Sequence, residues 1–136
     1  MKVVLDTNIL VSALIKPGGV PAQILAHESP FDLVTTEEIL AELARVLHYK
    51  RIQERYHLSD ATINAYINHV RDASEVIWVE SNVKAVQKDA DDDKFLACAK
   101  AAQVDCIVSG DPHLTNLKHY HGIPILSPRQ FLEIMA

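Results

Sequence analysis

The carboxylates of this sequence stand where chemistry can use them. Asp6 closes the apolar run Val3-Val4-Leu5, Asp111 follows Cys106-Ile107-Val108 after Ser109-Gly110, and Asp91-Asp92-Asp93 precede the helical stretch Phe95 to Ala102. Glu42 lies inside a segment whose apolar side is centred near Leu43; on a wheel of about 100° per residue it sits at the edge of the buried stripe, with Glu38 further round towards solvent. Carboxylates that converge in one pocket repel, and without a counter-ion some must take up protons. Mg²⁺ or Mn²⁺, hard ions that prefer oxygen ligands and keep several waters, removes that penalty. An ion held this way can lower the pKa of a bound water, orient it for in-line attack on a phosphodiester, and neutralise charge on the phosphorus oxygens.

Each acid also has a plainer role. Asp6, with Thr7 and Asn8 behind it, suits a helix N-cap, and Asp111 before Pro112 is the pattern of an N-cap followed by proline at the first helical position. Acids ahead of Phe95 favour the positive end of a helix dipole, although that does not call for three in a row. The chemical reading therefore rests on the acids taken together.

The elements that must position them alternate in type. Val3 to Leu5, Phe31 to Val34, Val76 to Val79, Cys106 to Val108 and Ile123 to Leu126 are short, apolar and β-branched, as expected of parallel strands covered on both faces. Between them, Ile39, Leu40, Leu43, Val46 and Leu47 share one helical face, as do Ile63, Tyr66, Ile67 and Val70. Pro17-Gly18-Gly19 ends the first helical stretch, and Pro21 suits the first position of the next. Thr35 or Thr36 can cap the helix that carries Glu42, and Ser127-Pro128-Arg129-Gln130 is a capping box. Five strands alternating with helices predict an open, mostly parallel α/β sheet. Ligands of such sheets bind beyond the carboxyl ends of the strands where the strand order reverses. If the first and fourth strands are neighbours, Asp6 and Asp111 face one crevice.

Composition sets the bounds. A chain of 136 residues, 49% hydrophobic and 23% charged, suits a single globular domain over 1–136 that folds by burial alone. Asp6 interrupts the N-terminal apolar run too early for a signal-peptide core, and no apolar stretch nears the roughly 20 residues of a membrane span, so a cytoplasmic protein is expected. Cys98 and Cys106 have no zinc-ligand spacing, and His119 and His121 lack a third partner. The net charge of -5 argues against a DNA-coating role, since non-specific affinity comes from Lys and Arg at phosphates. Bound cations over an acidic cluster invert the local field, so RNA is not excluded. His113 can reach the crevice from behind Asp111, and Lys50, Arg51 and Arg55 form a small basic patch.

Taken together, Val3-Val4-Leu5-Asp6-Thr7-Asn8-Ile9-Leu10, Thr36-Glu37-Glu38-Ile39-Leu40-Ala41-Glu42-Leu43, Asp91-Asp92-Asp93-Lys94-Phe95-Leu96-Ala97-Cys98-Ala99 and Val108-Ser109-Gly110-Asp111-Pro112-His113-Leu114 resemble the PIN domain, specifically the toxins of type II toxin-antitoxin systems of the VapC kind. The resemblance implies a three-layer α/β/α fold around a mostly parallel five-stranded sheet. It implies that Asp6, Glu42, Asp93 and Asp111 are the metal-binding, catalytic quartet of a Mg²⁺- or Mn²⁺-dependent endoribonuclease. Thr7, Asn8 and Ser109 would be polar helpers, and Asp93 is preferred to Asp92 by the family pattern alone. Products with a 5′-phosphate, a cognate antitoxin partner and a homodimer are implied as well.

Two other readings compete. A PIN fold kept as an RNA- or protein-binding module would usually have lost acids that this chain retains. A Mg²⁺-dependent phosphotransferase of the haloacid-dehalogenase kind wants a second Asp two residues after the first, where Asn8 stands, and a response-regulator receiver wants an acidic pair at an earlier point.

Overall fold

The computed structural model describes residues 1–26, 31–79 and 90–135, with the side chains of 90–93 left out. The chain runs β1 (Lys2–Leu5), α1 (Thr7–Ile15), α2 (Val20–Ala26), β2 (Asp32–Thr36), α3 (Glu37–Leu47), α4 (Lys50–Tyr56), α5 (Asp60–Asp72), β3 (Ser74–Ile77), α6 (Ala90–Ala102), β4 (Cys106–Val108), α7 (Pro112–Thr115), β5 (His119–Tyr120), β6 (Ile123–Leu126) and α8 (Pro128–Met135).

Its sheet has the order β3-β2-β1-β4-β6-β5. β1 sits between β2 and β4 and is parallel to both, with Val3 opposite Leu33 on one side and Leu5 opposite Val108 on the other. β3 is parallel to β2, and β6 to β4. Connections from β1 to β2 to β3 travel one way across the sheet, and those from β3 to β4 to β6 the other way. With right-handed crossovers, the helices of the two halves cover opposite faces. α6 accordingly packs across β1, β2 and β4. The strand order reverses between β1 and β4, which is where the sheet's ligand crevice belongs.

The sheet has six strands where the sequence pattern gives five. The extra one is the two-residue β5, antiparallel to β6. Between Tyr120 and Ile123 the loop residues His121 and Gly122 have φ of 50° and 80°. Positive φ at both central positions is the hairpin turn whose twist matches that of paired strands. His-Gly carries that signal less openly than Asn-Gly does, so the hairpin is hidden in the sequence.

Burial follows position in the sheet. Val3, Val4 and Leu5 are all buried, as are Cys106, Ile107 and Val108, which fits central strands covered on both faces. The edge strand β3 departs from that expectation: Glu75 and Val76 are exposed, and it begins at Ser74, so that Trp78 lies past its end and is 82% exposed. Among the described residues, β2 is its one neighbour strand and α5 packs against it. The largest buried side chains, among them Phe131, Leu10, Ile39, Leu43, Leu47, Ile63 and Leu96, fill the space between sheet and helices.

Local signals work as the residue types require. Thr36 Oγ1 accepts from the Ile39 amide and caps α3. Ser127 Oγ accepts from the Gln130 amide while Gln130 Oε1 accepts from the Ser127 amide, a complete capping box. Pro21 is the second residue of α2, not the first. From α5, Arg71 Nη2 donates to both carboxylate oxygens of Glu37 in α3 at 2.8 and 3.2 Å, and the Tyr66 hydroxyl donates to the Leu10 carbonyl in α1 at 2.6 Å. Among the described residues no single helix is long and apolar enough to cross a membrane.

Candidate functional site

β1 delivers Asp6 to the carboxyl edge of the sheet. Its backbone is still extended, and its amide donates to the Val108 carbonyl at 3.1 Å, the last rung shared with β4. Its side chain then turns back, so that Oδ1 accepts from the Ile9 amide at 2.9 Å and caps α1. The plain and the chemical roles of Asp6 thus coexist on one carboxylate.

Oδ2 of Asp6 accepts from the Ser109 hydroxyl, which is fully buried at the end of β4. The same hydroxyl accepts from the Asp111 amide at 2.9 Å. Asp111 caps α7 through Oδ1, which accepts from the His113 amide at 2.9 Å. Two acids separated by most of the chain are therefore linked through one serine oxygen at the point where the strand order reverses.

The electrostatics of this pair are unfavourable to charge. Asp6 is 2% exposed, and burial pushes its carboxyl above the usual carboxylate range. The Ser109 hydroxyl and the Ile9 amide pull the other way, the negative charge of Asp111 adds to the rise, and the Gly110 amide opposes it. Among the described residues no ion pair joins Asp6 or Asp111 to a lysine or arginine. Thr7, next along, is also buried, and its Oγ1 has no hydrogen-bond partner among the described residues. Asn8 is exposed. Oxygen donors only, a like-charge pair and an orphaned buried hydroxyl suit a hard divalent cation.

Glu42 projects from α3 at the rim of the buried stripe, with its side chain 11% exposed. Lys94 Nζ lies 2.5 Å from its Oε2, and Arg45 Nη2 lies 3.7 Å from the same oxygen. Lys94 is in the N-terminal half of α6. Because α6 joins parallel strands it runs counter to them and starts at their carboxyl edge, the edge that carries Asp6 and Asp111. Asp92 and Asp93 belong to the opening turn of that helix, but their side chains lie outside the described residues. Among the described residues no group of three or more His, Cys, Asp or Glu is close enough to hold an ion.

Of the residues anticipated from sequence, the structure brings Asp6, Ser109 and Asp111 together, with Thr7 adjoining. It places Glu42 against Lys94, a partner the sequence reading passed over. The signal was present: Lys94 immediately precedes the buried run Phe95 to Ala99, where a lysine must find a counter-charge. Among the other candidates, His113, His119, His121, Lys50, Arg51 and Arg55 are exposed. Lys50 pairs loosely with Glu54 at 3.9 Å, and the Arg55 guanidinium lies 5.5 Å from the centre of the Tyr56 ring. Cys98 and Cys106 are buried and unpaired.

Known proteins bear on this arrangement. The chain is 28% identical over 143 residues to an uncharacterised protein of Methanocaldococcus jannaschii, covering 98% of this chain and 90% of that one. In fold it is similar to a chain of the VapBC2 complex of Rickettsia felis, solved bound to a DNA fragment from the promoter. That superposition has a TM-score of 0.61 and 14% identity, and it covers 93% of this chain and 98% of the other. Residues 2–113 match the sequence model of the PIN domain, a stretch that includes all four acids: the chain belongs to the PIN domain family.

Proposed function

We propose that this protein is a single-domain, divalent-metal-dependent endoribonuclease, acting in the cytoplasm as the toxin of a toxin-antitoxin pair. The observation that carries the reading is the meeting of Asp6 and Asp111 at the switch point between β1 and β4, tied through Ser109 and, among the described residues, without a cation of their own. Membership of the PIN domain family supports a nuclease. Asp6 and Asp111 would be the core ligands of Mg²⁺ or Mn²⁺, with Asp93 and Glu42 completing the acidic rim.

When bound, the ion would supply an activated water and neutralise charge on the phosphorus oxygens. The chain's own part is to hold the acids in place. Ser109 and the Ile9 amide fix both oxygens of Asp6, and the α7 cap fixes Asp111. Thr7 offers a further hydroxyl. The likeness to a chain of the VapBC2 complex supports a small antitoxin protein as partner; that partner would bind over the crevice, and the assembled toxin would be a homodimer.

Incubation of the purified chain with a mixed-sequence RNA tests the activity. Cleavage to 5′-phosphate ends with Mg²⁺ or Mn²⁺, abolished by EDTA and by Asp6→Asn and Asp111→Asn, is the expected outcome. RNA binding without cleavage under any divalent ion would instead make the chain a binding module, and cleavage that survives both substitutions would remove the acids from the mechanism.

A further inference from the structure

Cations are distributed unevenly over the acidic rim. Among the described residues, Asp6 receives only neutral donors, namely the Ser109 hydroxyl and backbone amides, and faces the like charge of Asp111. Glu42 has two cations on a single oxygen, Lys94 at 2.5 Å and Arg45 at 3.7 Å. The Lys94 and Glu42 side chains are 7% and 11% exposed, so this is a pair shielded from water and not a surface contact. The Lys94 ammonium also lies 5.2 Å from the centre of the Phe95 ring, which favours a cation at that point.

We propose that Lys94 is the built-in cation of this centre: it satisfies Glu42 in place of a second metal ion, so that the chain binds one divalent ion, at Asp6 and Asp111. The inference rests on the metal-dependent reading above. An ammonium in contact with Oε2 and a divalent ion on the same carboxylate repel each other strongly where water is scarce. A buried ion pair is also hard to break from one side, because the abandoned charge stays buried. Glu42 is thus a positioning residue that holds Lys94 at the crevice. Among the described residues, one carboxylate on two cations and two carboxylates on none give a division of labour that four equivalent ligands would not.

Titration of the metal-free full chain with Mn²⁺ alone, followed by calorimetry, reads this without any activity. The wild type is expected to take up one Mn²⁺ per chain. Lys94→Met, which leaves Glu42 with the more distant Arg45 at 3.7 Å, is expected to take up a second, and Lys94→Arg to remain at one. Glu42→Gln should lower the affinity by less than tenfold, whereas loss of a genuine ligand or of its close support lowers affinity by about tenfold or more. Two ions in the wild type, one ion in a folded Lys94→Met, or a tenfold loss in Glu42→Gln would each overturn the proposal while leaving the metal-dependent reading intact. No Mn²⁺ uptake by the wild type would overturn both. Should Lys94→Met fail to fold, Glu42→Gln decides alone: a loss of less than tenfold supports Lys94 as the partner, and a tenfold loss refutes it.

Discussion

The Ser109 hydroxyl holds Asp6 by its Oδ2 across 103 positions of sequence, while the Asp111 amide holds the same hydroxyl from the other side. A buried serine that donates once and accepts once has its hydrogen-bonding role fixed, so it sets where both acids sit. Ser109→Ala removes a donor from a buried carboxylate and strands the Asp111 amide. The expected cost is about 1–3 kcal/mol of stability, the usual penalty for an unsatisfied buried polar group. The expected loss of Mn²⁺ affinity is about 10–100-fold, as for other supports of metal ligands. Urea unfolding and Mn²⁺ calorimetry on the variant measure the two; a stable variant of unchanged affinity would deny Ser109 this role.

Asp6→Asn separates charge from capping. Asparagine caps a helix about as well as aspartate does, so the bond to the Ile9 amide can persist. Burial raises the Asp6 carboxyl above its ordinary 3.8. A raised carboxyl favours the protonated, folded form, so its contribution is fully present below the unfolded pKa and is lost as pH climbs through the folded one. At neutral pH the charged group therefore opposes folding when no metal is present. In EDTA the variant should melt at or above the wild-type temperature, and the rise that Mn²⁺ gives the wild type should vanish. A clearly lower melt in EDTA would make Asp6 chiefly a structural cap.

Thr36 deserves the same treatment at the other helix, since it caps the element that presents Glu42. Thr36→Ala should cost about 0.5–2 kcal/mol, the normal range for a lost cap, read as a lower urea midpoint with an unchanged slope. A midpoint equal to that of the wild type would show the cap to be idle.

Neither thiol should react in the native protein. Burial pushes Cys98 up to about 12, and burial with the charge of Asp105 pushes Cys106 up to about 11. The thiolate is the reactive form, so iodoacetamide at pH 8 should label both only after denaturation. Stability from the neutral thiols is intact below the unfolded value of 9.0 and fades as pH rises towards these folded values. Rapid native labelling of Cys98 would contradict its placement in the core.

How far the sequence discloses the site depends on the range of the interaction. Asp6 and Asp111 are readable because each is fixed by its own strand end, and parallel packing makes β1 and β4 neighbours. Thr36 and the Ser127-Gln130 box are readable because a cap is a contact over three residues. The Lys94 partnership is not, because Glu42 lies 52 positions away and the two meet only through the crossing of α3 and α6. β3 misleads in a similar way: Val76 to Val79 has the composition of a covered strand, yet the sheet ends there and leaves Trp78 in solvent. β5 escapes because a two-residue strand owes its existence to its turn.

The place of β1 in the middle of the sheet has a consequence in time. Val3 pairs with Cys106, so β1 waits for about 100 further residues to be synthesised before this second neighbour exists. At ordinary translation rates of about 5–20 residues per second, that delay is roughly 5–20 s. Asp6 cannot meet Ser109 or Asp111 on the ribosome until β4 has emerged, so the linked pair of acids is assembled late and all at once, by the closing of β4 against β1.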